Sequence, residues 1–338
     1  MSRLAYHGAM RSTVPGRADP AVWDATRPRS PSRMPGVTMA GFRARDPGTA
    51  AVGHRLVPYP AVTLALEFGA GTPVVADAAG QQRRGSLVAG LGFGVGGAVW
   101  VRGEDVECVQ VRLSPVVAHA VLGVAPGELD GVVLALDELW GREASRIRAR
   151  LAEVSSWEQR FALTETLLAR RRAAGSSVAP EVAWAWHRIL VGRGLVRVDG
   201  LAAEVGWSRK RLWSRFRAQI GLSPKRAARL VRFDRAAHRL VAGVGAARVA
   251  AEGGYADQSH LHRDVVAFAG VTPATVVGEP WLAVDDVAWP GAQLRSPDEF
   301  RCRCPNPVWP SGGVGARSTA LPAVATGRRR CDLCGRGV

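Results

Sequence analysis

The chain has 338 residues, 47% of them apolar and 22% charged, which is enough for two modest globular domains with ordinary cores. Its 45 Lys and Arg against 29 Asp and Glu leave a formal charge of +16, so a polyanionic partner is expected, nucleic acid before an anionic membrane surface. No uninterrupted apolar run reaches the roughly 18 residues of a membrane span, and the N-terminus lacks the apolar core of a signal peptide. The expected location is therefore cytoplasmic, at the nucleoid and away from any membrane. Arginine carries nearly all of the excess charge, lysine occurring only at Lys210 and Lys225.

Residues 1–50 mix Arg, Pro, Gly, Ser and Ala without periodicity and read as a disordered leader. Met34 and Met39 also allow a translation start later than Met1. From residue 51 to 173 the pattern predicts a separate N-terminal domain, strand-rich at first and then helical. Its strand candidates are Val62–Phe68, Thr72–Val75, Ser86–Leu91, Ala98–Arg102 and Val106–Leu113. In the last, Val109, Val111 and Leu113 alternate with Gln110 and Arg112, the pattern of a strand with one face buried. Turns are expected at Gly80-Gln81-Gln82 and across Arg102–Asp105, giving a small antiparallel sheet or barrel. The glycine cluster at 90–97 lacks the lysine and hydroxyl of a phosphate-binding loop and reads as a flexible turn.

Ser114-Pro115 has the form of a helix N-cap followed by proline at the first helical position. An amphipathic helix is predicted over 138–154, and Ser156-Trp157-Glu158-Gln159 reads as a capping box opening another to about Ala173. Gly175-Ser176-Ser177 marks a linker over 174–178. Cys108 stands alone in the body of the chain, so no disulfide framework is expected.

Residues 179–280 read as all helix and contain a repeat. The first copy runs Ala203-Glu204-Val205-Gly206-Trp207, then Leu212, Phe216, Ile220 and Gly221-Leu222-Ser223-Pro224. The second runs Ala251-Glu252-Gly253-Gly254-Tyr255, then Leu261, Val265, Ala269 and Gly270-Val271-Thr272-Pro273. Apolar residues four apart put one face of each second helix into a core, and a helix, a glycine turn and a helix make a helix-turn-helix. The expected fold class is thus α+β. A small antiparallel β domain with trailing helices precedes an all-α domain of two helix-turn-helix units joined by a long helix.

With both copies laid out, Gly254-Tyr255-Ala256-Asp257-Gln258-Ser259-His260-Leu261-His262-Arg263-Asp264 followed by Gly270-Val271-Thr272-Pro273 resembles the signature of the AraC/XylS family of bacterial transcription regulators. The resemblance covers about residues 178 to 280. It implies a double-stranded DNA operator read in two adjacent major-groove segments, and for residues 51–173 an effector-sensing or dimerisation role, with a small-molecule effector. A homodimer and contact with RNA polymerase are further expectations, and no enzyme activity or cofactor is expected. Val265 and Ala267-Phe268 depart from the family, standing where it usually has an aromatic residue and a basic pair.

With Leu212 and Phe216 inward, the outer face of the first unit presents Arg209, Lys210, Trp213, Ser214 and Arg217. Matched to the family motif, Lys210, Trp213 and Ser214 fall nearest base edges, where a lysine suits guanine and a tryptophan edge the thymine methyl. In the second unit Gln258, Ser259, His262 and Arg263 face outward, Gln258 suiting adenine and Arg263 guanine. Arg209, Arg211, Arg217, Lys225 and Arg226 are assigned to phosphate, with Arg215 and Arg229 as phosphate or structural partners. Trp207 and Tyr255 are expected to plug the core at the turns.

The tail, 281–338, reads as disordered, and its Cys302, Cys304, Cys331 and Cys334 are a weak candidate zinc set because the first pair is C-x-C within a Pro-, Gly- and Arg-rich segment. The alternative function is DNA repair or thiol and zinc sensing through Cys108 or these four cysteines. No histidine lies close to Cys108 in sequence to activate it.

Overall fold

The computed structural model describes residues 23–44, 54–76, 80–93, 99–278 and 288–289. The N-terminal part is built on two antiparallel sheets. Ten strands, β1 (Trp23–Thr26), β2 (Val37–Ala44), β3 (His54–Leu56), β4 (Val62–Glu67), β5 (Val74–Ala76), β6 (Gln82–Arg84), β7 (Leu87–Ala89), β8 (Val99–Arg102), β9 (Glu107–Leu113) and β10 (Val133–Ala135), form them. The larger sheet runs β1-β2-β9-β4-β7-β10 and the smaller β3-β8-β5-β6.

The register sets the faces. Val37 and Val62 both align with Leu113, and Met39 and Leu64 with Val111, so these side chains share one face. That face packs with Val117 and Val121 of α1 (Pro115–Leu122) and with Phe161 and Leu168 of α4 (Trp157–Ala174) in the main core. On the opposite face, Leu87 and Ala89 meet Val75 and Val99 of the smaller sheet, so β7 is covered on both sides. At Gly41 the backbone of β2 passes directly under the Trp157 ring, and a β-carbon there would lie 2.4 Å from it.

Several expectations need correction. The leader is not disordered throughout: β1 and β2 fall inside it, and Met34, Val37, Met39, Ala40 and Phe42 are core residues. A chain begun at Met39 would lose β1 and the start of β2. Gln110 and Arg112 are buried rather than facing water, and the Arg112 guanidinium lies against the rings of Tyr59 and Trp289, which are outside the strands. The β3, β6 and β10 strands were not predicted, each having only three residues, and Gln82 opens β6 rather than closing a turn.

The helix expected over 138–154 is broken into α2 (Leu136–Trp140) and α3 (Arg142–Glu153), because Gly141 at φ 52° leaves the right-handed helical region. Ser114 occupies the cap position of α1 without a side-chain cap bond, whereas Ser156 Oγ accepts from the Gln159 N–H at 3.3 Å as expected. The segment over 174–178 is not a loose linker. A β-carbon on Gly175 would lie 2.1 Å from the Ala120 carbonyl oxygen, and Val178 is buried.

The C-terminal part is helical: α5 (Pro180–Val191), α6 (Val198–Glu204), α7 (Arg209–Ile220), α8 (Pro224–Val241), α9 (Ala246–Glu252), α10 (Gln258–Ala269) and α11 (Pro273–Val276). The tail is not wholly detached either, since Ala288 and Trp289 are buried against Ala40 and Phe42 of the larger sheet and Val106 just before β9. Among the described residues, no helix is long and apolar enough to cross a membrane.

Candidate nucleic-acid interface

The repeat in the sequence becomes a repeat of hydrogen bonds. In the first unit the Trp207 N–H donates to the Ala202 carbonyl at 2.9 Å, and in the second the Tyr255 N–H donates to the Ala250 carbonyl at 3.2 Å. Both turns rely on a glycine with positive φ, Gly206 at 66° and Gly254 at 73°, a region other residues enter only at a cost. The second turn carries one additional residue, Ala256, between the aromatic residue and the helix cap.

Each second helix starts on a side-chain cap. Ser208 Oγ accepts from the Arg211 N–H at 3.2 Å, and Asp257 Oδ1 accepts from the His260 N–H at 2.6 Å. Each ends at a left-handed glycine, Gly221 or Gly270. The hydroxyl-proline pairs that follow open the next helix, with Ser223 Oγ accepting from Arg226 and Thr272 Oγ1 from Thr275. Punctuation that repeats in sequence thus marks the same caps twice.

Leu212, Phe216 and Ile220 of α7 are buried, as are Leu261, Val265 and Ala269 of α10. Arg209, Lys210, Trp213, Ser214 and Arg217 are exposed on α7, and Gln258, Ser259, His262 and Arg263 on α10. An indole 46% exposed, as at Trp213, leaves apolar surface in water and calls for a partner. The Arg217 guanidinium sits 5.5 Å from that ring, and Arg211 lies 4.5 Å from the ring of Trp207. Arg209 pairs with Asp199 at 3.1 Å between two exposed side chains, a contact that a phosphate can replace at little cost. Lys225 and Arg215 are exposed.

Two arginines assigned to phosphate also reach the N-terminal part. Asp130, just after the 3₁₀ turn Pro126–Leu129, accepts from Arg226 Nη1 at 2.9 Å and lies 3.9 Å from Arg217 Nη2. Arg229 is structural. It donates through Nη2 at 2.7 Å and Nε at 3.1 Å to Asp264, a carboxylate only 2% exposed, with Arg232 at 3.8 Å on the other oxygen. This cluster ties α10 to α8. Sequence reasoning placed Asp264 in the motif but gave it no role; its spacing from Leu261, three residues on and so on the inward face, was the available signal.

The departures at Val265 and Phe268 fill the core. Phe268 stacks on Phe233 with ring centroids 5.0 Å apart. Tyr255 is a buried plug at its turn, its hydroxyl pKa raised by burial, while Trp207 is half-buried.

Cys108 is poorly suited to thiol chemistry. Burial first, then the carboxylates of Glu67 and Glu107, push its thiol up to about 12, which leaves almost no thiolate at neutral pH. No group of three or more potential metal ligands exists among the described residues, and Cys302, Cys304, Cys331 and Cys334 lie outside them.

A family model described as a helix-turn-helix domain matches residues 201–278. No curated protein matches the chain. Among solved structures, ToxT from Vibrio cholerae O395 is similar at 9% identity, over 72% of this chain and 98% of that one, with a TM-score of 0.41. The C-terminal domain of AraT, a response regulator from Geobacillus stearothermophilus, is similar at 20% identity over 30% of this chain and 87% of that one, with a TM-score of 0.28. The AraC-like transcriptional activator CuxR is similar at 15% identity over 72% and 92%, with a TM-score of 0.25.

Proposed function

We propose that this chain, whose residues 201–278 match a helix-turn-helix domain, is a DNA-binding transcription regulator of the AraC type and reads two adjacent major-groove segments of an operator through α7 and α10. It is a regulator and not an enzyme. The observation that carries the reading is the pair of equivalent helices, each capped, glycine-ended and packed on an apolar face, with an outer face of residue types that bond bases and phosphates. In this reading Lys210, Trp213 and Ser214, and Gln258, Ser259, His262 and Arg263, approach base edges. Arg209, Arg211, Arg217, Lys225 and Arg226 neutralise phosphate.

The N-terminal sheets are assigned to sensing a small molecule. Supporting this, Thr63 Oγ1 and Gln110 Oε1 are buried without a hydrogen-bond partner on strands β4 and β9, and interior polar groups ordinarily have one. Homodimerisation and contact with RNA polymerase belong to the same reading.

The test is selection of bound sequences from a random duplex library with the full chain, followed by titration against salt. Two short enriched boxes about one helical turn apart, roughly 34 Å, are the expected result. Salt-sensitive binding with no enriched sequence would mean that charge alone makes the contact.

A further inference from the structure

The N-terminal part touches the C-terminal ends of both recognition helices. At α10 the contact includes a hydrogen bond from Arg55 Nη1 to the Ala269 carbonyl at 3.1 Å. At α7 it is closer and charged. A β-carbon on Gly127 would lie 3.3 Å from the Arg217 carbonyl oxygen, so the turn presses on the helix backbone. Asp130 then places its carboxylate between Arg226 and Arg217.

The turn is also tied to the sheet. The Gly90 N–H donates to the Val132 carbonyl at 3.0 Å, the Gly131 N–H to the Leu91 carbonyl at 3.4 Å, and Leu129 is buried. At Gly90 a β-carbon would lie 1.8 Å from the Leu129 carbonyl oxygen, so the turn and the end of β7 move together. These contacts link the sheet to Asp130 through one short turn.

We propose that Asp130 is an interdomain latch whose carboxylate stands in for a DNA phosphate at Arg226 and Arg217, so that the turn over 126–131 and DNA compete for the same two guanidiniums. A carboxylate and a phosphate oxygen offer the guanidinium fork the same acceptor geometry, and one fork cannot serve both fully. Arg226 is 29% exposed and Arg217 54%, so the pair is held in partial contact with water and is weak enough to be displaced. Linkage makes the effect reciprocal: what loosens the turn strengthens DNA binding, and DNA loosens the turn. The inference rests on the reading of α7 as a DNA-contacting helix and adds the route by which the N-terminal part governs it.

The test compares the full chain with Asp130→Asn, Asp130→Glu and the double variant Asp130→Asn/Arg226→Gln, titrating each with duplex DNA from low to moderate salt. Asp130→Asn is expected to bind about three- to tenfold more tightly, with a salt slope steeper by about one to two phosphate contacts. Asp130→Glu keeps wild-type behaviour, and Arg226→Gln cancels most of the gain. Equal affinity and slope for wild type and Asp130→Asn overturns the latch and leaves the DNA-binding reading standing. Weaker binding by Asp130→Asn overturns it too, because the contact would then be a brace that aids DNA.

A second measurement uses the unaltered chain, so it does not depend on a variant folding. Amide hydrogen exchange over 126–132 is expected to accelerate when duplex is added, and unchanged or slower exchange rejects the latch. Absence of any duplex binding by wild type at low salt would instead reject the helix-turn-helix reading on which the latch depends.

Discussion

The two helix-turn-helix units share their caps, turns and inward faces, yet they are held in place by different forces. Seven residues beyond the cap, the first unit has Arg215, exposed, and the second has Asp264, buried under Arg229 and Arg232. Three from the end of α7 is Arg217, which reaches Asp130, where α10 has Val266. Near the end, Gln219 accepts the Ala179 N–H at 2.9 Å where Phe268 stacks on Phe233. The first unit is therefore rich in exposed cations and fastened to the N-terminal part. The second is fastened to α8 by a buried ion cluster and an aromatic pair. One motif can thus hold affinity in one copy and a rigid reading frame in the other.

The most severe way to break this comparison is to remove the aromatic pair. Phe268→Ala is expected to cost about 3–5 kcal/mol of stability, read from chemical unfolding of the full chain. The equivalent change in the first unit, Gln219→Ala, removes one bond and should cost about 1 kcal/mol. Similar losses at the two positions would show that the units are anchored alike.

Next comes the ion cluster. Asp264→Asn should cost about 2–3 kcal/mol, because it leaves Arg229 and Arg232 without the buried acceptor they share. Arg215→Ala at the equivalent exposed position should stay within about 0.5 kcal/mol. The same pair of variants separates stability from binding: Arg215→Ala should lower DNA affinity uniformly across sequences, and Asp264→Asn should do so only through misplacement of α10.

The third prediction concerns readout. Arg263→Ala is expected to cost about 1–3 kcal/mol of binding at one base position and to relax preference there, measured by competition between operator variants. Arg217→Ala should instead lower affinity for all duplexes and reduce the salt slope by about 0.9. Unchanged affinity and preference in Arg263→Ala would remove this residue from the reading face.

The smallest effect is a pH dependence at equivalent glutamates. Hydrogen bonds from Arg248 and then Arg239 hold the Glu252 carboxyl below the usual carboxylate range, while Glu204 of the first unit pairs with Arg188 at 3.3 Å. A carboxyl lowered by folding contributes stability at neutral pH, and that contribution disappears as pH falls through the lowered range. Glu252→Gln should flatten this acid limb slightly, as read from unfolding midpoints between pH 5 and about 3. A full-sized acid limb in Glu252→Gln would place the titration elsewhere.

The helical half was legible because its signals are local. A cap, a left-handed glycine and apolar residues three or four apart all act within a few turns of one helix. Residues written twice at the same spacing therefore appear twice at the same hydrogen bonds. The outward set of Lys210, Trp213, Gln258 and Arg263 followed from the inward set, since a helix buried on one face must expose the other.

The β half was less legible, and the reason is pairing at long range. In β2 the alternation that marks a half-buried strand is blurred, because Ala40 and Phe42 are covered on one face and Val37 and Met39 on the other. Its partner is β9, about seventy residues away, with Val37 opposite Leu113, and nothing near residue 37 announces that neighbour. The burial of Gln110 and Arg112, the docking of Trp289 and the turning of Arg226 toward Asp130 likewise depend on surfaces that meet only after folding. The sequence by itself determined the helix boundaries, the repeat and the residue types offered to DNA, because local backbone sterics and periodicity decide those. Only the tertiary structure decided which strands pair, which polar groups are interior and which arginines are already occupied, because each needs a partner brought from a distant part of the chain.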